Sequence, residues 1–239
     1  MVSDIIELLR DNPYPGRGIV VGLSDDGNKS IVVYFIMGRS ENSRNREFEF
    51  TDDGIRTKAF DSEKLTDPSL VIYRPVRICD GRTIVTNGDQ TDTIAGFISS
   101  GQDFRDALLT RVFEPDGPHY TPRISGLVET DGSYRLSILK SLDGDPKCCC
   151  RYFYDYLRPL SGLGHFISTY ITDGDPLPSF VGEPFAVGIN AYDNLDNYAQ
   201  TIWNALNEDN KVSLYIQETD MSTGIRNQKI INKLTREKI

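Results

Sequence analysis

Gly18-Ile19-Val20-Val21-Gly22-Leu23 and Ser30-Ile31-Val32-Val33-Tyr34-Phe35-Ile36-Met37 are two apolar, largely β-branched runs joined by Ser24-Asp25-Asp26-Gly27-Asn28-Lys29. The joining segment is turn chemistry, so the pair predicts an antiparallel hairpin. Neither run alternates with polar residues, which predicts strands covered on both faces, as in a layered sheet core. Glu47-Phe48-Glu49-Phe50 does alternate and predicts a strand with one exposed face. Leu70-Val71-Ile72-Tyr73 with Arg82-Thr83-Ile84-Val85-Thr86 predicts a second hairpin, turning near Asp80-Gly81. Further strand patterns fall at 123–128, 134–139, 151–156, 165–171 and 212–216. Helical patterns begin on cap-type residues at Thr91 and Asp103, and the clearest covers 193–206 with its apolar residues on one stripe. This grouping of strands, then helices, then strands again predicts an α+β protein of mainly antiparallel sheets, not a Rossmann alternation. With no Pro- or Ser-rich linker, low-complexity tract or repeat, residues 1–239 read as a single domain.

Composition narrows the function. A chain of 239 residues with 38% hydrophobic content can bury a substantial core. Its net charge of -9 argues against a general nucleic-acid or anionic-membrane binder. An anionic small molecule needs only a local pocket and stays open. No segment approaches the ~18 consecutive apolar residues of a membrane span, and the amphipathic stretch 1–10 is unlike a signal peptide, so a cytoplasmic location is expected. Cys79 and the run Cys148-Cys149-Cys150, with His119 and His165 as the histidines, offer neither a disulfide framework nor a structural zinc pattern.

Against the acidic background, Gly38-Arg39-Ser40-Glu41-Asn42-Ser43-Arg44-Asn45-Arg46 places three guanidinium groups at the end of the second apolar run. Arginine is suited to planar, bidentate recognition of phosphate or carboxylate, although a solvated charged loop has the same composition. Three other polar segments stand where strands end. These are Tyr73-Arg74-Pro75-Val76-Arg77, Thr86-Asn87-Gly88-Asp89-Gln90-Thr91-Asp92, and the proline-studded stretch from Glu114 to Arg123. Capping and turn chemistry accounts for each alone. Together they put arginines, a tyrosine, an amide and a carboxylate at strand ends, where rigid scaffolds hold sites. Gly16-Arg17-Gly18 precedes a strand and reads as a tight turn, not a dinucleotide loop. His119 reads as a surface side chain in a proline-bounded loop.

In this order, Arg39-Ser40 with Asn45-Arg46, Tyr73 with Val76-Arg77, Thr86-Asn87-Gly88 with Thr91-Asp92, and Tyr120-Thr121-Pro122-Arg123-Ile124 resemble the archaeal-type IMP cyclohydrolases. Leu177-Pro178-Ser179-Phe180 with Gly182-Glu183 resembles a later block of that family, so the likeness covers roughly Gly16 to Pro184. The chain departs from the pattern in its N-terminal stretch through Asp11, in its basic C-terminal tail and at Glu41-Asn42-Ser43-Arg44, where aromatic and proline residues are usual. The resemblance implies a four-layer α/β/β/α sandwich like the N-terminal-nucleophile hydrolases, without their catalytic nucleophile. It also implies closure of a formamido-imidazole-carboxamide ribotide to IMP with loss of water, a chemistry that needs no metal or redox cofactor, and it suggests a homo-oligomer.

Under that resemblance Tyr73, Arg77 and Glu114 are the expected catalytic residues, with Glu114 handling the proton. Arg39 and Arg46 are expected to hold the phosphate, Asn87 and Asp92 to recognise ribose or base edges, and Arg123 to orient Glu114 or the phosphate. Two alternatives remain at this level. One is a non-catalytic purine-nucleotide-binding protein on the same scaffold, and the other is an amide hydrolase using one of the cysteines.

Overall fold

The computed structural model describes residues 2–65, 68, 71–189 and 193–234. The predicted hairpin is its centre. Strands β1 (Arg17–Leu23) and β2 (Lys29–Met37) pair antiparallel, with Ile19 opposite Tyr34 and Val21 opposite Val32. On one flank of the hairpin lie β10 (Leu163–Ser168) and β11 (Phe185–Gly188). On the other lie β12 (Lys211–Asp220) and β13 (Arg226–Asn232), giving a six-stranded sheet of order β11-β10-β1-β2-β12-β13. A second sheet of seven strands runs in sequence order. It comprises β3 (Arg46–Thr51), β4 (Gly54–Ala59), β5 (Val76–Cys79), β6 (Arg82–Thr86), β7 (Arg123–Val128), β8 (Tyr134–Leu142) and β9 (Asp145–Tyr156). Every strand pairing within the two sheets is antiparallel.

The double-sided burial of the hairpin has a simple origin. Side chains alternate along a strand, so Ile19, Val21, Val32, Tyr34 and Ile36 face one way and Val20, Ile31, Val33, Phe35 and Met37 the other. The first set packs against Phe48, Ile55, Val76, Val85, Ile124 and Leu136 of the seven-stranded sheet, forming the core between the sheets. The second set packs under helices α1 (Ile5–Arg10) and α5 (Leu195–Ala205), through Ile5, Leu9, Tyr198, Ile202 and Trp203. On the far side, α3 (Gln90–Ser99) and α4 (Phe104–Leu109) cover the seven-stranded sheet through Ile94, Ile98, Phe104 and Leu108 over Ile84, Leu127 and Leu139. The order of layers is therefore helices, sheet, sheet, helices.

Several local expectations change. Val71–Tyr73 is not a strand, and Leu70 lies outside the described residues. The hairpin around Asp80-Gly81 is formed by β5 and β6, and both turn residues take positive φ. Pro75 lacks the N–H that a strand continuing from Tyr73 would need. Thr57 instead captures the segment, its Oγ1 accepting the Tyr73 N–H at 2.8 Å. Residues 41–44 form a short helix, α2 (Glu41–Arg44), because Ser40 and Ser43 cap one another reciprocally. Strands β4 and β13 carry no apolar run to announce them, and β11 spans only four residues. The three consecutive cysteines lie in β9, the outermost strand of its sheet.

Gly22 pairs with Gly164 of β10, and a Cβ at Gly22 would sit 2.5 Å from the Gly164 Cα and 2.6 Å from the Leu163 carbonyl oxygen. Neither backbone atom can rotate away. Gly22→Ala is expected to lower the unfolding free energy by about 1–3 kcal/mol, read by equilibrium denaturation. A loss within experimental error would mean that β1 and β10 part freely at this point.

Candidate active site

The arginines of segment 38–46 go three ways. Arg39 leaves the end of β2 along the surface, its Nη1 donating to Asp173 Oδ1 at 2.6 Å and to the Gly174 carbonyl at 2.8 Å. Its guanidinium lies 5.2 Å from the centre of the Tyr14 ring. Arg44 braces the segment from outside, donating to the Gly38 carbonyl and to Asn210 Oδ1. Arg46, the first residue of β3, turns inward and is 1% exposed. Its Nε donates to the Ser43 carbonyl at 2.8 Å, and its Nη1 has no partner among the described residues.

Arg46 thereby joins a buried polar cluster at one end of the sandwich. Contributions come from the start of β1 (Arg17), the residue after β6 (Asn87), the start of β7 (Arg123), the segment before β5 (Tyr73) and the loop between α4 and β7 (Glu114). Arg17 sits on the inward face by the same alternation that turns Ile19 and Val21 inward. Its Nη2 lies 3.9 Å from Glu114 Oε2, and both side chains are nearly excluded from solvent. Asn87 Nδ2 approaches the other carboxylate oxygen at 3.5 Å and donates to the Pro122 carbonyl at 2.9 Å. Asn87 Oδ1 accepts from the Ile124 N–H and from Gln90 Nε2, so its amide is held on every side. Arg123 Nη1 donates to Gln90 Oε1 and to Asp89 Oδ1.

The electrostatics follow from this packing. Burial pushes the Glu114 carboxyl up to about 7, and Arg17 and Arg123 pull against that rise. Burial and the like charge of Arg17 lower the Arg46 guanidinium. Arg17 is opposed by burial too, but Glu114 and the neighbouring phenols outweigh it and hold the charge. Arg17 Nε, Arg46 Nη1 and Arg123 Nε are buried with no partner among the described residues. A buried donor without an acceptor costs about 1–3 kcal/mol, more when charged. Three such donors around one carboxylate make the cluster a receptor for an electron-rich or anionic group.

A pair of phenols completes it. The hydroxyls of Tyr34 and Tyr73 are 2.8 Å apart, and the Tyr34 hydroxyl is pushed well up, first by burial and then by Tyr73. Only one phenol can donate in that bond. Tyr34 is fully enclosed, so donation by Tyr73 would strand the Tyr34 proton without an acceptor. Tyr34 therefore donates, leaving the Tyr73 O–H to point elsewhere.

Of the residues singled out by sequence, Tyr73, Glu114, Arg46, Asn87 and Arg123 come together here, and Arg39 stands at the rim beside Tyr14. Arg77 and Asp92 meet on the opposite side of the seven-stranded sheet. Val76 faces the inner core, so Arg77 faces α3, where its Nη1 donates to Asp92 Oδ1 at 2.9 Å and its Nε to Asp53 Oδ2 at 3.0 Å. His119 accepts the Leu177 N–H on Nδ1 and so ties two loops together. Cys79 lies beside Ser99, and Cys148, Cys149 and Cys150 lie on β9. The residues that sequence reasoning passed over are Arg17, Tyr34 and Gln90. Arg17 alone carried a signal, as a charge placed directly before a run buried on both faces.

A groove of about 580 Å³ between α1 and β10, lined by Asp4, Glu7, Phe166, Phe180 and Phe185 among others, is separate from this cluster.

A family model described as IMP cyclohydrolase-like protein matches residues 14–223. The IMP cyclohydrolase of Methanopyrus kandleri is 29% identical over 160 residues, 66% of this chain and 75% of that one. Those of Methanococcus maripaludis strain C7 and Methanosphaera stadtmanae are 35% and 32% identical, over 51% and 53% of this chain. The aligned parts span 61% and 63% of those two relatives. All the elements that supply the buried cluster fall inside the matched residues, and the chain belongs to the family of IMP cyclohydrolase-like proteins.

Proposed function

We propose that the protein is an IMP cyclohydrolase, closing 5-formamidoimidazole-4-carboxamide ribotide to IMP with loss of water. The observation that carries this reading is Glu114, buried and shifted to about 7, among three arginines with unpartnered N–H groups, two of which, Arg17 and Arg46, also feel the Tyr73 phenol. The layer order supports the further reading that the fold is of the N-terminal-nucleophile-hydrolase type, and the core shared by the two sheets supports treating the chain as one domain.

In the ring closure the carboxamide nitrogen attacks the formyl carbon, forming the new C–N bond as the carbonyl π bond shifts onto oxygen. Holding both groups on one ring in the reactive rotamer supplies much of the rate. Tyr73 donates to the oxygen as negative charge develops there. Glu114 takes the proton from the attacking nitrogen, and a carboxyl near 7 suits acceptance and return alike. Glu114 returns that proton to the oxygen, giving a hydroxyl on the former formyl carbon. This hydroxyl then leaves as water with the proton that the former formamide nitrogen gives up through Glu114 as the ring C=N bond forms. Arg17 holds Glu114 in place. Arg46 binds the anionic end of the ribotide, and Arg39 joins it by exchanging Asp173 for a phosphate oxygen. Arg123, held by Gln90 and Asp89, turns its free Nε to the substrate. Asn87 serves Glu114 instead of a ribose or base edge, because its amide is already saturated. Arg77 and Asp92 clamp α3 onto β5 in this reading and touch no substrate. An amide hydrolase would need a nucleophile in the cluster, and among the described residues no cysteine lies there.

Incubation of the purified protein with the formamido ribotide is expected to yield the ultraviolet spectrum of IMP. Glu114→Gln should lower kcat on the order of 100-fold or more. Tyr73→Phe should lower kcat about 10- to 100-fold with KM little changed. Retention of full activity by the phenylalanine variant would remove Tyr73 from the reaction.

Glu114 also makes stability depend on pH. The unfolded chain releases this proton near 4.5, whereas the folded chain holds it to about 7. Between those values the unfolded state is favoured progressively, so the Glu114 contribution present below 4.5 is lost as pH rises towards 7. Denaturation midpoints of wild type and Glu114→Gln should diverge over that interval, with the variant the more stable at pH 8. Parallel profiles would show that Glu114 titrates normally.

A further inference from the structure

The loop between α4 and β7 contains a chain of hydroxyls that the proposed mechanism does not use. Asp116 holds Thr121 twice, Oδ1 accepting its backbone N–H at 2.7 Å and Oδ2 accepting its hydroxyl. The Thr121 hydroxyl also lies 2.5 Å from the hydroxyl of Tyr170, and both side chains are almost fully enclosed. Thr121 returns to the site through its carbonyl, which accepts the Glu114 N–H at 2.9 Å.

The direction of these bonds is set by valence. A threonine hydroxyl has one proton, and an ionised carboxylate only accepts. With Asp116 taking the Thr121 proton, Thr121 can only accept from Tyr170. The Tyr170 proton is then committed to Thr121, and its remaining lone pair is available to a donor. The donor at hand is Arg17. The Tyr170 ring packs over the turn that leads into Arg17, where a Cβ on Gly16 would lie 2.5 Å from it. The preceding Thr169 Oγ1 accepts the Arg17 backbone N–H at 3.1 Å. Thr121 also bridges the Tyr170 hydroxyl to Glu114, which lies 3.9 Å from Arg17 Nη2, and the Arg17 charge pulls against the rise that burial imposes on the Tyr170 hydroxyl.

We infer that Asp116, acting through Thr121, holds Tyr170 as an acceptor facing Arg17 and so fixes Arg17 against Glu114. Asp116 and Thr121 are then positioning residues for the ring closure, an assignment that rests on Glu114 carrying the proton. Asp116→Asn tests it, because the carboxamide oxygen can keep the backbone bond to Thr121 while its NH2 group replaces the second acceptor. The chain then reverses. Asn donates to Thr121, Thr121 donates to Tyr170, and the Tyr170 proton turns towards a cation.

Asp116→Asn and Thr121→Val should each lower kcat about tenfold or more, with KM and the thermal midpoint near wild type. Thr121→Ser, which keeps the hydroxyl, should restore wild-type kcat. The double variant Asp116→Asn/Tyr170→Phe should be no slower than Tyr170→Phe alone, since both changes break one chain. Solvent exchange of the Arg17 Nη–H groups, followed by nitrogen-resolved NMR, supplies a reading without turnover. It should quicken at least tenfold in Asp116→Asn and Thr121→Val, and not in Thr121→Ser. Unchanged exchange, or additive losses in the double variant, would overturn the inference. Absence of IMP formation by the wild type would instead refute the proposed activity and leave the exchange result to decide on the chain.

Discussion

The constraint on which the molecule rests is the burial of the β1–β2 hairpin on both faces. A strand with apolar side chains on both sides cannot lie at a surface, so a second sheet must cover one face and helices the other. That requirement also creates the site. The first inward-facing residue of β1 is Arg17, and the geometry that keeps Ile19 and Val21 dry carries a guanidinium into the same interior. A charge there needs a counter-charge, which Glu114 supplies from a loop of the opposite sheet.

Glu114 cannot satisfy its surroundings alone. Arg17, Arg46 and Arg123 each retain a buried N–H without a partner, and burial itself draws Glu114 towards its neutral form. Such a cluster costs folding free energy, and strain of this kind characterises sites built for a ligand more than sites built for stability. The two phenols obey the same logic in neutral form. Enclosure of Tyr34 decides which of them donates, and the Tyr73 proton is left free as a result.

The parts of this arrangement that follow local rules were legible in the sequence. The hairpin of 18–37, the helices near 91, 103 and 195, and the antiparallel α+β class all follow from periodicity, capping and turn residues. Tyr73, Arg46 and Glu114 stood out because they are polar at strand ends. Arg17 did not, since its meaning depends on Glu114, far along the chain and in another sheet. Strand β13 was missed because its residues are mostly polar and become a strand only by pairing with β12. Arg77 and Arg46 look equivalent in composition, and only the pleat distinguishes them, sending one towards α3 and the other inward. Over Val71–Tyr73 the expected strand failed on one residue, Pro75, whose missing N–H shifts pairing to Val76.

The Tyr34–Tyr73 bond joins the six-stranded sheet to the segment leading into the seven-stranded one. Neighbouring residues along a strand are about 3.3 Å apart, comparable to the length of that bond. Sliding one sheet over the other by a single residue would part the phenols and separate Arg17 from Glu114 together. The site therefore works as a vernier between the two sheets, legible only when their alignment is true to a fraction of a residue. Mutations in the inner core, far from any reacting atom, act on the chemistry through that alignment.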